Sequence, residues 1–190
     1  MDIFSHGLWT GAIAKAANKK IKKPLNFWAA VGWGVFPDLF AFTIPFLGLL
    51  WNLSFNGVNL ADIPGPSAVE PPPSDTLWIF RLATSLYNIS HSSVIFLAVF
   101  GIVIFANRFL FPPALKLRRT PWEMSAWLLH IVMDTFTHSY RFFPTPVFWP
   151  LFGWKFNGIS WANPWFLAIN YAVLILVYLI LWKFKNGRAR

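Results

Sequence analysis

The sequence predicts an all-α fold: a polytopic helical bundle in a membrane, with four transmembrane helices and one short helix at the N-terminus. Three observations lead to this prediction. Hydrophobic residues make up 56% of the 190 residues and charged residues only 12%, whereas soluble domains carry about 25% charged residues. Four apolar segments reach the length of about 20 residues that a span requires. The basic residues flank those segments, as membrane topology demands.

The four predicted spans cover approximately residues 25–50, 88–111, 121–143 and 164–184. Residues 51–87 are rich in Pro, Gly and acidic side chains, which is typical of an exposed loop. Residues 144–163 are rich in Trp, Phe and Pro, a composition that favours the headgroup region of a bilayer. We therefore expect both segments to be outer-side loops of a single integral membrane domain that covers residues 1–190.

The distribution of lysine and arginine indicates the orientation. All 16 except Arg81, Arg141 and Lys155 lie before the first span, between the second and third, or after the last. The positive-inside rule makes that side cytoplasmic, which gives a multi-pass protein of the cell membrane with a cytoplasmic C-terminus. Because the basic residues are short flanks on three separate segments, we expect no nucleic-acid partner. Membrane lipid and a small or lipid-like substrate are the expected partners.

The N-terminal segment, residues 3–17, allows two arrangements. It fits an amphipathic helix on the cytoplasmic surface. It also fits a short re-entrant or fifth element inside the bundle, because 15 residues span only about 22 Å as a helix. The choice between the two decides where His6 lies.

Few ionisable side chains remain at membrane depth once the flanks and loops are set aside. They are Asp38, His91, His130, Asp134 and His138, together with His6 if its helix enters the bundle. A charge at the bilayer centre costs about 2.5–3.5 kcal/mol, so such groups need partners. No Lys or Arg lies at comparable depth, and the chain has no cysteine. A divalent cation is the simplest partner, and imidazole with carboxylate suits zinc or a similar metal.

The stretch LLHIVMDTFTHSY, residues 128–140, carries the densest group of these side chains. His130 and Asp134 stand four residues apart and share a helix face. They fit two ligands of one metal, or a hydrogen-bonded pair without metal. His138, near the outer end, fits a replacement ligand, a proton carrier or an interfacial histidine. Asp38 follows Pro37, so it fits either the site or the cap of a broken helix.

The order of the motifs SHGLWTGAIAKA, GVFPDLF, ISHSSVIF, LLHIVMDTFTH and PTPVFWPLF resembles the bacterial inner-membrane proteins of the YdjM type. These are LexA-regulated and described as metal-dependent hydrolases. The resemblance covers residues 4–155 and implies location in the inner membrane. It also implies a metal-binding set, made up of His6, Asp38, His91, His130 and Asp134. If His6 belongs to this set, the N-terminal helix must enter the bundle.

The chain departs from the family pattern at two positions, where Phe40 and Leu86 replace an acid and a histidine. Two functions therefore stay open. The first is a metal-dependent hydrolase acting on a lipid or lipid-linked ester or phosphoester at the outer face, with unligated Asp38 or His138 as the catalytic base. The second is a non-catalytic membrane protein with a structural or sensing metal site. Transport is disfavoured because the chain shows no internal repeat.

Overall fold

The computed structural model describes residues 1–57, 78–110 and 121–186, with side chains up to Lys183. Within that part of the chain every regular element is helical and no strand occurs. The elements are α1 (Ile3–Ala17), α2 (Phe27–Phe55), α3 (Trp78–Ser90), α4 (Ser93–Phe109), a 3₁₀ turn (Trp122–Met124), α5 (Ser125–Thr137) and α6 (Pro164–Asn186). The prediction of an all-α fold is confirmed.

The described residues contain two helices that are long and apolar enough to cross a membrane, at Phe27–Phe55 and Pro164–Lys183. A third span is present if α3 and α4, which are bent by 58° where they meet, count as one. The count is therefore two or three and not the predicted four. The prediction of a span at 121–143 is wrong: α5 has 13 residues and is only about 20 Å long.

The end of α5 explains why this apolar segment does not continue across a membrane. The N–H of Gly158 donates to the carbonyl of His138 at 2.8 Å, and those of Ile159 and Trp161 donate to Phe136 and Thr137, each at 2.9 Å. The returning loop thus binds carbonyls at the end of the helix, which otherwise lack partners. One face of α5 packs on α1, α2 and α4, whereas Val132 and Phe136 on the other face are exposed; a helix packed in this way does not need the length of a full span.

Helix α1 packs inside the bundle, against α2 and α6, so the second of the two arrangements for residues 3–17 is the observed one. Small residues allow the close approach. A Cβ atom at Gly7 would lie 3.1 Å from Val35, and one at Gly34 would overlap the side chain of Thr10. This packing turns His6 inward, where its side chain is fully buried.

The start of α1 is fixed by polar contacts with α6. Asp2 caps the helix, accepting a hydrogen bond from the backbone N–H of Ser5 at 3.0 Å. The hydroxyl of Tyr171 donates to Asp2 at 2.8 Å, and the amide of Asn170 donates to the Ser5 hydroxyl at 2.7 Å. These bonds hold the first turn of α1, and with it His6, in one position.

The second predicted span, 88–111, contains a break at His91. Ser92 caps α4 by accepting from the backbone N–H groups of Val94 and Ile95. The hydroxyl of Ser93 donates to the carbonyl of Val147 in the loop after α5, at 2.6 Å. His91 therefore lies between two helices and faces the interior, since its side chain is fully buried.

The predicted loop at 51–87 is helical at both of its ends, because α2 continues to Phe55 and α3 begins at Trp78. Residues 58–77, and the basic flank within 111–120, lie outside the described residues. The loop at 144–163 has no regular helix and packs against the ends of α4 and α5.

The surface of the helices is strongly apolar. Large side chains such as Ile102 on α4 and Ile175 and Trp182 on α6 are each more than 60% exposed. Soluble monomers rarely expose contiguous apolar surface of this kind. The exposed faces fit a hydrocarbon environment, which agrees with the lengths of α2 and α6.

Candidate metal centre

All four histidines of the chain and two aspartates converge in the middle of the bundle. Three helices carry four of these side chains: His6 lies on α1, Asp38 on α2, and His130 and Asp134 on α5. The other two lie outside the helices, His91 in the break before α4 and His138 directly after α5. Six side chains from distant parts of the sequence thus share one site. The sequence predicted this convergence of His6, Asp38 and His91 on the α5 pair.

Four donor atoms lie within 4.8 Å of one another and could hold a metal ion: Asp38 Oδ1, His91 Nε2, His130 Nε2 and Asp134 Oδ2. Asp134 Oδ2 is 3.3 Å from His91 Nε2 and 3.2 Å from His130 Nε2. Asp38 Oδ1 is 3.5 Å from His91 Nε2 and 3.7 Å from His130 Nε2. Tetrahedral ligands about 2.0 Å from a zinc ion are about 3.3 Å apart. The observed spacing fits an ion of that size.

The two histidines of this group are oriented by groups behind them. His130 Nδ1 donates to the carbonyl of Gly34 at 2.7 Å, because a carbonyl can only accept. In the neutral ring the lone pair is then on Nε2, which points at the other donors. His91 Nδ1 lies 2.9 Å from the hydroxyl of Ser90. Metal-binding histidines usually have such a partner on the far nitrogen.

Asp134 is the clearest indication that a cation belongs here. Its Oδ2 is buried and has no hydrogen-bond partner among the described residues. Its Oδ1 accepts from His6 Nε2 at 2.9 Å. A buried carboxylate oxygen without a partner is costly, and a metal ion between Asp134, His91 and His130 would remove that cost. Two imidazole nitrogens and two carboxylate oxygens suit zinc or a related divalent ion.

One positive group at this depth was not expected from the count of lysines and arginines. The ammonium group of Met1 forms an ion pair with Asp134 Oδ1 and lies 3.0 Å from His138 Nε2. Asp134 Oδ1 therefore has a positive partner that is neither a lysine nor an arginine. Asp134 Oδ2 instead faces the histidines of the four-donor group.

His138 does not lie at a mouth of the site, as its position near the end of the segment had suggested. Its side chain is only 7% exposed. Nδ1 donates to the carbonyl of Phe143 at 2.8 Å, and Nε2 is 3.4 Å from Asp134 Oδ1. His138 is thus buried beside Asp134, and its role as catalytic base stays a prediction.

Asp38 does not cap a broken helix. α2 begins at Phe27 and continues through Pro37 and Pro45, so Asp38 lies in its interior. The side chain of Asp38 is 13% exposed, whereas that of Asp134 is 0% exposed. Among the four donors, Asp38 is therefore the one nearest to the outside of the bundle.

The two departures from the family pattern contribute no donor. Phe40 is 39% exposed and contacts Phe36, and Leu86 packs on the apolar cluster around Tyr87 and Phe143. The four-donor group forms without them. No family model matches the chain, and no curated protein or solved structure is significantly similar to it. The resemblance to the YdjM type therefore stays a prediction that rests on the motifs.

An apolar groove of about 310 Å³ lies beside the centre. It is lined by Phe42, Pro45, Phe46, Leu49, Ile79, Phe80, Ala83, Phe142, Phe143 and Trp161. The ring of Phe143 packs against that of Tyr87 at 5.2 Å, and Tyr87 stacks on His91 at 3.7 Å. One aromatic wall thus separates the groove from the donor atoms.

Besides the Met1 ammonium, sequence reasoning missed three groups that shape the site: the Gly34 carbonyl, the Ser90 hydroxyl and the Tyr87 ring. Gly34 had a detectable signal, because a glycine in an apolar helix often marks close helix packing. Ser90 directly precedes His91 in ISHSS, but adjacency alone does not show that its hydroxyl bonds to the ring. Tyr87 lies one helical turn before His91 and gave no signal.

Proposed function

We propose that this chain is a membrane-embedded metal-dependent hydrolase that acts on a lipid or lipid-linked ester or phosphoester. The observation that carries the proposal is Asp134 Oδ2, a buried carboxylate oxygen that faces two imidazole nitrogens and has no hydrogen-bond partner among the described residues. Structural roles for His91 and His130 alone would not require a carboxylate between them.

Asp38, His91, His130 and Asp134 would hold the ion. When bound, such an ion lowers the pKa of water and polarises an ester or phosphoryl oxygen. The residues behind the donors keep them in position: Gly34 fixes the ring of His130, Ser90 that of His91, and His6 binds the opposite oxygen of Asp134. Zinc is our choice of metal because of the mixed nitrogen and oxygen donors.

Asp38 and His138 are the proposed proton-transferring groups. Asp38 is the donor nearest to the outside of the bundle, so a substrate entering from that side meets it first. A carboxylate that ligates a metal is a weaker base, and Asp38 serves as base only if it is unligated. His138 is the alternative: Nδ1–H donates to Phe143 and leaves the lone pair on Nε2, which can take a proton once the Met1 ammonium, 3.0 Å away, no longer donates to it.

The apolar groove supports a lipid substrate. Its lining is aromatic and aliphatic, which suits an acyl or isoprenoid chain and offers nothing to a polar metabolite. Phe143 both lines the groove and accepts the hydrogen bond from His138. A chain in the groove would therefore lie against the aromatic wall of Phe143 and Tyr87, with the donor cluster on the other side of that wall.

The proposed location is the outer face of the inner membrane, with the C-terminus in the cytoplasm. The lysine and arginine distribution supports this orientation. The resemblance to the YdjM type supports both the membrane and the hydrolase assignment.

The test combines metal analysis with an assay in detergent micelles. We expect the zinc-loaded protein to release product from a fluorogenic long-chain ester or phosphodiester, to lose activity on chelation, and to be inactive as Asp38→Asn. Leu49→Trp, which narrows the groove, should reduce turnover of the long-chain substrate more than that of a short-chain analogue. Leu50→Trp is the matched control, because Leu50 does not line the groove. Full activity of Asp38→Asn after chelation would exclude the proposal.

A non-catalytic protein with a structural or sensing metal site is the second candidate. The observation that favours it is the number of donors: Asp38, His91, His130 and Asp134 could together fill the four positions of a tetrahedral zinc ion, and four protein ligands are typical of structural zinc sites. Bound zinc with no turnover of any lipid ester or phosphoester would support this second function.

A further inference from the structure

We propose that the basic turn between α1 and α2, together with the cavity beside it, binds one phospholipid with an anionic headgroup. The basic turn covers residues 18–25, with the sequence NKKIKKPL. It carries four lysines and no acidic residue. The site shares no residue with the candidate metal centre, so it does not depend on the proposed function.

Hydrogen bonds fix the shape of the basic turn. The side-chain amide of Asn18 donates to the carbonyl of Leu25 at 2.9 Å, and the backbone N–H of Leu25 donates to the Asn18 side chain at 2.7 Å. The N–H groups of Lys20 and Ile21 both donate to the carbonyl of Ala17, at 2.8 and 3.2 Å. Lysines that only mark the orientation of a membrane protein do not need a fixed backbone. A fixed backbone lowers the entropy that binding an anion costs.

Three lysines of the basic turn are available to an anion. Lys20, Lys22 and Lys23 are exposed, and none of them forms an ion pair with an acid among the described residues. Lys15, in the last turn of α1, is engaged instead by aromatic rings. Its Nζ lies 4.8 Å from the ring centre of Phe27 and 5.0 Å from that of Tyr178. Clustered ammonium groups beside a membrane-spanning helix favour the phosphate of an anionic lipid.

A cavity of about 250 Å³ lies beside the basic turn, between α1, α2 and the start of α5. Leu25, the last residue of the turn, lines it, and seven of its ten lining residues are apolar, Ile13 and Leu129 among them. The carboxylate of Glu123 in its wall accepts from the backbone N–H of Asn26 at 2.8 Å. A lining of this kind suits part of an acyl chain.

Exposed apolar side chains accompany the lysines. Ile21 lies between two pairs of lysines, Trp28 is in the first turn of α2, and Trp122 lines the cavity; all three are exposed. Tryptophan is enriched where a membrane meets water. This combination fits a lipid whose phosphate binds the lysines and whose acyl chain enters the cavity, whereas a soluble anion would use the lysines alone.

Native mass spectrometry of the full-length protein in a neutral detergent tests the proposal. The protein is titrated with phosphatidylglycerol, or with phosphatidylcholine of the same acyl chains. We expect one phosphatidylglycerol to bind per chain, more tightly than phosphatidylcholine. Lys20→Gln, Lys22→Gln and Lys23→Gln should each weaken phosphatidylglycerol binding about fivefold, the contribution of one lysine near anionic lipid. Lys183→Gln, which removes an exposed lysine of α6, should bind like the wild type.

A second pair of variants tests the cavity. Ile13→Trp should fill part of it and weaken the binding of both lipids. Leu8→Trp, on the same helix but outside the cavity, should weaken neither. Both side chains are exposed, so we expect both variants to fold. Unchanged lipid binding in Ile13→Trp would exclude the cavity from the site.

The remaining outcomes decide whether a lipid is recognised at all. Equal affinity of the wild type for the two lipids would overturn the proposal, and so would an equal loss in Lys22→Gln and Lys183→Gln. Displacement of phosphatidylglycerol by glycerol phosphate at equal concentration would show that the lysines bind a soluble anion, which would overturn the assignment to a lipid. None of these results bears on the metal centre.

Discussion

His91 Nε2 and His130 Nε2 lie 3.0 Å apart in the centre of the bundle. The Gly34 carbonyl keeps the proton of a neutral His130 on Nδ1, so in the metal-free protein His91 Nε2–H must donate to His130. Two bare lone pairs at this distance would repel. A metal ion on His91 Nε2 would take the place of that proton, which would then lie on Nδ1 of the same neutral ring and face the Ser90 hydroxyl.

Zinc should stabilise the wild type by binding the folded site only. At a free zinc concentration of about 100 times Kd, the free energy of unfolding rises by about 2.7 kcal/mol. His130→Ala removes one donor of the four-donor group, so the zinc-dependent increase in the free energy of unfolding should fall. Thermal unfolding in detergent with and without zinc measures it.

Glu123→Gln is the control for this prediction, since it removes a carboxylate that accepts from the backbone N–H of Asn26 and is not part of the four-donor group. It should keep the full zinc-dependent increase. An undiminished increase in His130→Ala would mean that zinc binds elsewhere.

Ser90 should tune metal affinity through His91. A hydroxyl can donate to His91 Nδ1 when Nε2 carries the proton, and accept from Nδ1–H when Nε2 binds a metal. Ser90→Ala removes both options, and loss of such a partner typically lowers metal affinity about 10–100-fold. Competition with a fluorescent zinc chelator measures the change.

Ser85→Ala is the matched serine control, because its hydroxyl donates to the Arg81 carbonyl on an exposed face of α3. Its zinc affinity should equal that of the wild type, and Ser90→Thr should recover most of the loss. Equal affinities in Ser90→Ala and Ser85→Ala would show that the Ser90 contact does not orient His91.

Gly34 should be intolerant of any side chain. A Cβ atom there would overlap the side chain of Thr10 on α1, and overpacking of this kind costs about 1–3 kcal/mol. Gly34→Ala should therefore lower the unfolding temperature, and Thr10→Ala in the same chain should restore part of it. The displacement should also weaken the bond from His130 to the Gly34 carbonyl.

Gly32→Ala, two residues earlier in α2, is the matched control. A Cβ atom at Gly32 meets nothing within 4 Å, and alanine favours a helix over glycine by about 0.5–1 kcal/mol. We expect unchanged or higher stability. Equal effects of the two substitutions would contradict the tight crossing of α1 and α2.

Gly158 should hold the returning loop on the end of α5. A Cβ atom at this position would collide with the backbone of Phe136, so Gly158→Ala should detach residues 158–161 from their carbonyl partners. Faster hydrogen exchange of the backbone amides at positions 158, 159 and 161 in this variant would measure the detachment. Gly153→Ala, where a Cβ meets nothing within 4 Å, should leave these rates unchanged.

The membrane character of the chain could be predicted because it depends on composition and segment length, which are properties of the sequence. α2 and α6 were found near their predicted positions for that reason. The prediction of a span at residues 121–143 failed because apolarity does not distinguish a helix that faces lipid from one that packs against protein. α5 buries the face that carries His130 and Asp134, and the returning loop binds its last carbonyls, where the helix ends at Thr137.

The candidate site was predicted largely from the free-energy cost of burying charged side chains. Burying Asp38, Asp134 and their histidines is unfavourable unless they meet, so the residue types alone indicated one cluster. Because His130 and Asp134 are four residues apart in the sequence, they were predicted to share one helix face. His6 required the resemblance to the YdjM type, since a lone histidine in a short helix carries no comparable signal.

The sequence by itself thus determined the all-α class and the residues that make up the cluster, because hydrophobicity and the burial cost of charge are local properties. Only the tertiary structure decided which oxygen of Asp134 faces which histidine, that the Met1 ammonium lies against one of them, and that His138 is buried. Those features depend on helix crossings at Gly7 and Gly34 and on a loop that returns to α5. Such contacts join residues far apart in the chain, and no spacing pattern encodes them.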